Sequence, residues 1–162
     1  HNGKVGVIGT VGTIASGAYD KAVERTAAEV VLSSAACPGF VEFVERDQTE
    51  GDEVMLLATQ LLAPLKAAGV DSLLLGCTHY PYLAPVIQAV MGEGVVLVSS
   101  ANETAFAVRD LLESQAIEAP TKAVGERHFY SSGDVDAFAT LGRRLLGPEL
   151  GSVSRWKKGT SS

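Results

Sequence analysis

A cysteine and a histidine stand two residues apart directly after an apolar run of the chain. Cys77 and His79 lie in the segment GCTHYP, which follows LLL. A neighbouring imidazole, a helix N-terminus or backbone N–H groups can convert a thiol into a reactive thiolate. The helical segment that follows can also hold an anion, such as a substrate carboxylate, at its N-terminus. The alternative is a buried, inert cysteine in a turn, beside a structural histidine.

Two threonines, Thr10 and Thr13, flank a glycine-rich turn after the first apolar run. Such turns offer hydroxyl and backbone N–H groups to an anionic ligand. The competing interpretation is turn formation and helix capping, which threonine also favours. The turn lacks the lysine of a phosphate-binding loop and the pattern G-x-G-x-x-G, so the sequence gives little support to a nucleotide site.

Glu45 is a candidate acid or base partner for a histidine. It stands in an acidic stretch between Glu42 and Glu53, so a solvated acidic face is the alternative. Cys37 precedes a proline in a loop; it could be a second reactive thiol, but we favour a packed structural cysteine. We predict no metal site, because no group of ligand residues has metal-binding spacing, and neither do the three histidines, His1, His79 and His128.

The composition is that of a globular protein with a substantial core. Of the 162 residues, 46% are hydrophobic and 20% are charged, and no apolar run approaches the roughly 18 residues that span a bilayer. The net charge is −6, although the last twelve residues are basic. An acidic body repels a phosphate backbone, so we expect no nucleic-acid partner, and we expect no membrane partner either. Two cysteines are too few for a disulfide framework and favour reduced thiols in the cytoplasm.

Apolar runs of strand length alternate with helical patterns along the chain. We predict strands, separated by helices, over residues 4–9, 30–35, 71–76, 94–100 and 128–134. This order predicts an α/β fold with a mostly parallel sheet flanked by helices. Such sheets bind ligands at the carboxyl ends of their strands, which here are the segments 9–13, 36–40 and 76–81.

The helical patterns carry start and stop residues. The longest pattern begins near Asp52 and is expected to end at Gly69, with a break or kink at Pro64. Ser100 or Asn102 is expected to cap the helix that follows the fourth strand.

Several motifs in a fixed order carry a family resemblance. The segments GTVGTIASGAY, CPGFVEFVE and LLLGCTHYP followed by YLAP, with VVLVSSANETA and HFYSSGD after them, resemble the second half of the glutamate racemases, within the aspartate/glutamate racemase superfamily. The resemblance covers nearly the whole chain except its tail. In the aspartate branch an acidic residue usually follows Cys-Thr, so His79 at this position favours glutamate.

The resemblance implies a cofactor-independent racemase with two α/β lobes and the site between them. One cysteine on each lobe faces one side of the substrate Cα; one thiolate removes the α-proton and the other thiol delivers a proton to the opposite face. A single base would return the proton to the face it came from. By motif match, Cys77 is one of these thiols, His79 assists it, and Glu45 orients the imidazole.

The substrate site implied by the resemblance contains Thr78, His79, Thr10 and Thr13. The substrate would be glutamate, and the D-glutamate formed would serve peptidoglycan synthesis in a bacterial cytoplasm. We expect the enzyme to be a homodimer. The alternatives are a related racemase or isomerase acting on aspartate or hydantoins, and an inactive half-protein.

The family's other lobe carries an Asp-Ser pair and a Cys-Asn-Thr segment that this sequence lacks. The chain also begins without Met and almost at once with a strand, so we expect it to be part of a longer protein. Residues 1–99 would form the second lobe with one catalytic cysteine. Residues 100–150 would return to complete the first lobe, with an apolar helix surface left exposed here, and residues 151–162 would form a flexible basic tail.

Overall fold

Residues 2–26, 29–120 and 125–157 are described by a computed structural model of the chain. They fall into two units, His1–Ala116 and Ile117–Ser162. The first unit holds every residue that the sequence singles out for catalysis or substrate binding, so it is the unit that positions the candidate site.

Four strands form the sheet of the first unit. They are β1 (Lys4–Gly9), β2 (Val31–Ala36), β3 (Ser72–Leu75) and β4 (Val96–Ser99), in the order β2-β1-β3-β4. Every pairing in this sheet is parallel, which confirms the predicted α/β fold. Strand β1 has a neighbour on each side, and its residues Val7 and Ile8 are fully buried, as expected for the centre of a parallel sheet.

The direction in which the chain crosses the sheet reverses between β1 and β3. From β1 the chain passes to β2 on one side, whereas from β3 it passes to β4 on the other. The loops that leave the carboxyl ends of β1 and β3 therefore diverge, and the crevice between them is the usual ligand position in open α/β sheets. The register pairs Ile8 with Leu75 and Gly9 with Ala36, so these three strands end at the same level.

Helices of two kinds accompany this sheet. Helices α3 (Phe40–Glu45), α4 (Asp52–Ala68) and α5 (Ala84–Met91) bury apolar residues in the core. A 3₁₀ turn over Tyr80–Leu83 leads into α5. In contrast, no residue is buried in helices α1 (Val11–Ala15), α2 (Ala18–Thr26) and α6 (Ser100–Ser114).

Helix α4 is continuous from Asp52 to Ala68 and ends, as predicted, at Gly69 in the left-handed conformation. The predicted break at Pro64 is wrong. A proline removes one backbone hydrogen bond, and the apolar stripe of this helix, which is buried on both sides of the proline, keeps the helix in place: Val54, Ala58, Leu62 and Leu65. Within the described residues, no helix combines the length and the apolar character needed to cross a membrane.

Helix α6 starts at Ser100, and the prediction that Ser100 or Asn102 caps it is wrong. The Ser100 hydroxyl donates to the carbonyl of Leu75 at 2.9 Å, because the end of β3 presents an acceptor beside it, and Asn102 lies inside the helix. The expected exposure of apolar surface is confirmed, since Phe106 is 51% exposed and Leu111 is 52% exposed.

The second unit contains a two-stranded parallel sheet and a helix. Strand β5 (Phe129–Ser131) pairs with β6 (Val153–Arg155), and α7 (Val135–Leu146) connects them. Strand β6 lies inside the segment predicted to be a flexible tail. Three residues are too few for an alternating pattern, so this strand depends on contacts such as the edge-to-face packing of Tyr130 on Trp156, with ring centroids 6.3 Å apart. Residues 158–162 of the predicted tail lie outside the described residues.

Cys37 follows β2 and belongs to the core of the first unit. Its side chain is 1% exposed, and burial raises the pKa of its thiol to about 12. A thiol with this pKa remains protonated at neutral pH, which supports the interpretation of Cys37 as a packed structural cysteine.

The raised pKa of the Cys37 thiol predicts a loss of stability at alkaline pH. Above pH 9 the thiol ionises in the unfolded chain, where the ordinary pKa is 9.0, but keeps its proton in the folded chain until about pH 12. Ionisation therefore stabilises the unfolded state as the pH rises. Between pH 7 and pH 10 the free energy of unfolding should fall by about 1 kcal/mol more in the unaltered protein than in Cys37→Ala.

Urea unfolding followed by circular dichroism at both pH values, with a reductant present, measures this difference. Each protein is compared with itself, so the cavity that the alanine leaves cancels from the comparison. An identical pH dependence in both proteins would show that the Cys37 thiol ionises normally in the folded chain.

Candidate active site

The loop that carries Cys77 begins at the carboxyl end of β3, beside the end of β1. The N–H of Gly76 donates to the carbonyl of Ile8 at 2.8 Å, which extends the pairing of the two strands by one residue. Leu75 is buried, whereas Cys77 is partly exposed. The thiol therefore lies where the buried strand gives way to the crevice between the β1 and β3 loops.

The Cys77 loop is a compact turn fixed by its own backbone and by one buried side chain. The N–H of Tyr80 donates to the carbonyl of Cys77 at 3.2 Å, and the N–H of Tyr82 donates to the carbonyl of His79 at 3.1 Å. The Tyr80 ring is fully buried, and its hydroxyl donates to the carbonyl of Cys37 at 3.2 Å. This last bond ties the loop to the end of β2.

Three of the predicted site residues lie in a row from this loop to helix α3. The sulfur of Cys77 lies 3.9 Å from Nδ1 of His79, which is a long contact even for sulfur. Nε2 of His79 lies 3.6 Å from Oε1 of Glu45, too far for a hydrogen bond but near enough for electrostatic attraction. The fold thus brings a thiol, an imidazole and a carboxylate together from two separate segments.

The order of these contacts favours one tautomer of His79. A carboxylate near Nε2 favours the proton on that nitrogen, which leaves Nδ1 to accept the proton of the Cys77 thiol. The side chain of His79 is 25% exposed and that of Glu45 is 51% exposed, so water weakens their attraction. The arrangement therefore places a possible proton acceptor beside the thiol, with a carboxylate behind the acceptor.

Glu45 is the last residue of helix α3, and the first residue of this helix, Phe40, fixes the helix in place. Phe40 is fully buried and packs edge-to-face on Tyr80, with centroids 5.4 Å apart and planes at 80°. Gly39, before the helix, has a φ of 92°, a conformation that favours glycine. Tyr80 directly follows His79, and Phe40 lies in the same short helix as Glu45. The contact between the two rings therefore helps to set the distance from the Glu45 carboxylate to the His79 imidazole.

Thr10 and Thr13 open the loop after β1. The Thr10 hydroxyl accepts a hydrogen bond from the N–H of Thr13 at 3.3 Å, and the two hydroxyl oxygens lie 2.9 Å apart. The capping alternative is therefore realised in the structure. Both threonines are partly buried, and Thr78, on the β3 loop, is exposed. Contact of these three residues with a substrate stays a prediction.

Tyr19 and Tyr80 also belong to this region, although neither is a predicted site residue. A Cβ added to Gly76 would lie 2.6 Å from the Tyr19 hydroxyl and 2.8 Å from the carbonyl of Ile8, so the Tyr19 side chain lies directly on Gly76. The sequence did contain one indication, Gly76 between strand β3 and the Cys77 loop, since a glycine at a strand end often marks the close approach of another group. Nothing in the sequence indicated that the approaching group would come from α2.

Two further features of the described residues are a surface cavity in the first unit and the placement of possible metal ligands. A surface cavity of about 520 Å³ between α4 and α5 contains none of the predicted site residues. The amine of Lys66, on its wall, already donates to the carbonyl of Val90 at 2.8 Å. Across residues 2–26, 29–120 and 125–157, no three His, Cys, Asp or Glu side chains are grouped so that they could hold a metal ion.

Comparison with known proteins places this chain in a family. The sequence pattern of the Asp/Glu/Hydantoin racemases matches residues 1–108. The glutamate racemase of Acidothermus cellulolyticus is 53% identical over 154 residues, which cover 94% of this chain and 58% of that relative.

Solved structures agree with this comparison. A glutamate racemase isoform from Bacillus anthracis superposes with a TM-score of 0.86 at 36% identity, covering 98% of this chain and 58% of that one. The glutamate racemase from Francisella tularensis, solved in complex with D-glutamate, has a TM-score of 0.87 at 27% identity, covering 96% of this chain and 58% of that one. The chain thus spans a little over half the length of the relatives that it matches, and it belongs to the Asp/Glu/Hydantoin racemase family.

Proposed function

We propose that this chain is the part of a glutamate racemase that supplies one of its two acid/base thiols, Cys77. The observation that carries the proposal is the row of contacts from Cys77 through His79 to Glu45 at the crevice between the β1 and β3 loops. The relatives of about 50% identity that are named glutamate racemase support the choice of reaction.

Inversion at the substrate Cα requires two proton-transfer groups on opposite faces. A base removes the α-proton from one face, and an acid must deliver a proton to the other within hydrogen-bond reach of the carbon. Cys77 serves one face. Cys37, the other thiol of this sequence, is buried and protonated, so the second group belongs to a part of the complete protein outside residues 1–162.

His79 and Glu45 assist Cys77 in both directions of the reaction. When the thiolate is needed, Nδ1 of His79 takes the thiol proton, and the carboxylate near Nε2 stabilises the resulting imidazolium. When the thiol is needed as an acid, the same proton returns to sulfur. After the thiolate removes the α-proton, sulfur holds that proton while Nδ1 keeps the one it took from the thiol, and the proposed transfer uses no cofactor.

Stabilising the carbanion is the harder part of the reaction. Without a cofactor to delocalise the charge, hydrogen-bond donors must face the substrate carboxylate in a site closed to water. We assign this task to Thr78, with its exposed position beside Cys77, and to the hydroxyls of Thr10 and Thr13 at the end of β1. His79 completes the set of substrate-binding residues.

We further propose that residues 1–99 form one catalytic lobe and that residues 100–150 return to complete the other, with residues 151–162 following as a basic tail. The half-exposed apolar side chains of α6 support this division, because such side chains are normally covered. The complete enzyme is proposed to be a cytoplasmic homodimer that acts on free glutamate without nucleic acid or membrane and supplies D-glutamate for peptidoglycan.

A racemase of aspartate or hydantoins is the second candidate, because the matched family includes such enzymes. His79 after Cys77-Thr78 favours glutamate over aspartate. Assaying the complete protein with each substrate class separates the two, and a preference for aspartate or a hydantoin would overturn the assignment to glutamate.

Replacement of the proposed acid/base thiol is expected to abolish inversion. In the complete protein, Cys77→Ser should lower the rate of glutamate racemisation by about 100-fold or more, because a serine hydroxyl is a far weaker acid than a thiol. The measurements are the optical activity of the product and deuterium incorporation at Cα in D₂O. Cys37→Ala serves as the matched control and should racemise glutamate at a normal rate; normal racemisation by C77S would end the proposal.

Residues 1–162 alone are expected not to racemise glutamate, since they offer one accessible thiol for a reaction that needs two proton-transfer groups. A racemisation assay on this chain, with the complete protein as the reference, tests the expectation. Racemisation that depends on both cysteines would make Cys37 the second base and would overturn the two-lobe assignment.

Glu45→Gln is expected to slow the complete enzyme by about twofold to fivefold, a size set by the weak attraction of a half-exposed pair. The loss should appear in kcat rather than KM, because the carboxylate acts on His79 and not on the substrate. The control is Glu50→Gln, which removes an exposed carboxylate from the neighbouring loop. If both changes lower kcat equally, the decrease comes from the change in net charge and not from the contact of Glu45 with His79.

A further inference from the structure

We propose that Tyr19 is a positioning residue for Cys77: its side chain holds the Gly76–Cys77 segment against β1, so that the thiol stays beside His79. The inference rests on the proposed role of Cys77 as an acid/base thiol and adds a residue from helix α2 to the machinery around it.

Contacts of Gly76 are the first observation behind this inference. Its N–H donates to the carbonyl of Ile8 at 2.8 Å, which fixes the segment to β1. The space that a side chain would occupy at Gly76 is filled by Tyr19, whose hydroxyl and Cε2 lie 2.6 Å and 3.1 Å from an added Cβ. Backbone bonding and side-chain packing thus restrain the residue directly before the thiol.

The way α2 packs is the second observation. This helix buries no residue, and along it only Tyr19 and Val23 are partly buried. Four residues apart, they lie on one face of the helix. The Tyr19 hydroxyl has no hydrogen-bond partner within the part of the chain that the structure describes, so the hydroxyl end of its side chain lies on Gly76 by packing.

Loss of this packing would act on the contact between thiol and imidazole. Glycine has more backbone freedom than any other residue, so without the Tyr19 ring the segment can turn away from β1. The distance from sulfur to Nδ1 of His79 is already 3.9 Å, and a small displacement takes the two atoms out of reach. Tyr19 therefore controls how strongly His79 affects the reactivity of the Cys77 thiol.

A double-mutant cycle on the chain itself tests this coupling. The rate of Cys77 alkylation by iodoacetamide is followed by peptide mass spectrometry, which separates it from Cys37, in the unaltered protein, His79→Gln, Tyr19→Ala and Y19A/H79Q. H79Q should slow alkylation when Tyr19 is present, and this loss should shrink by at least about threefold in the Y19A background. A structural effect of Y19A alone would change the rates but leave the loss caused by H79Q unaltered.

Two related variants sharpen the result. Tyr19→Phe keeps the ring and should keep the effect of H79Q on Cys77 alkylation. If Y19F loses this effect as Y19A does, the Tyr19 hydroxyl is the group that positions Cys77. Val23→Ala, on the same face of α2, is the control and should keep the coupling. The proposal is overturned if Y19A keeps the coupling, if V23A loses it equally, or if H79Q has no effect while Tyr19 is present.

If Y19A does not fold, Gly76→Ala provides the same test from the other side of the contact. Its Cβ would lie 2.6 Å from the Tyr19 hydroxyl and must displace the segment, so coupling should be lost. Gly12→Ala, where a Cβ would meet nothing within 4 Å, is the control. A folded G76A protein with full coupling would contradict the proposal.

Racemisation by the complete enzyme separates this inference from the proposed function. If racemisation needs Cys77 but the coupling between Tyr19 and His79 is absent, the role of Tyr19 is wrong and the function stands. Normal racemisation by C77S would overturn the function on its own.

Discussion

The hydrogen bond from the Tyr80 hydroxyl to the Cys37 carbonyl is the constraint on which the candidate site depends. Burial raises the pKa of Tyr80 well above its usual value, with the nearby thiols and a carboxylate adding to the effect, so the hydroxyl remains a neutral donor. Breaking a bond of this kind leaves buried polar groups unsatisfied at a cost of about 1–3 kcal/mol. The same ring packs on Phe40. One side chain therefore fixes the β3 loop, the end of β2 and helix α3, the three pieces whose spacing brings His79 to Glu45.

The two cysteines show how position in one sheet can produce different surroundings for the same side chain. Each follows a strand next to β1, and each strand end bonds to β1: the N–H of Cys37 to the carbonyl of Gly9, and that of Gly76 to the carbonyl of Ile8. Cys37 then turns into the core, where burial suppresses its ionisation. Cys77 follows a glycine into the crevice and meets an imidazole. The difference arises from what surrounds each thiol, since the two residues are chemically identical.

Periodicity and glycine positions were enough to predict the parallel sheet, and the GCTHYP motif pointed to Cys77 and His79, because these features are local in the sequence. The failures involve long-range contacts. Pro64 sits in a helix kept by packing, and Ser100 bonds to a strand 25 residues earlier in the chain rather than to its own helix. Tyr19 reaches Gly76 across 57 residues, and no local pattern encodes such an approach.

The proposed inversion explains why the site is complete in one sense and incomplete in another. For a single proton transfer it has an accessible thiol, an imidazole to exchange the proton and a carboxylate to stabilise the charge. In the proposed function the hydroxyls of Thr10 and Thr13, in the β1 loop, contact the substrate carboxylate, and they are too weakly acidic to reprotonate a carbanion in place of a thiol. A proposed carboxylate-binding loop and a proposed proton-transfer loop are what a two-thiol mechanism requires of one lobe, and the second thiol must then face the other side of the substrate Cα.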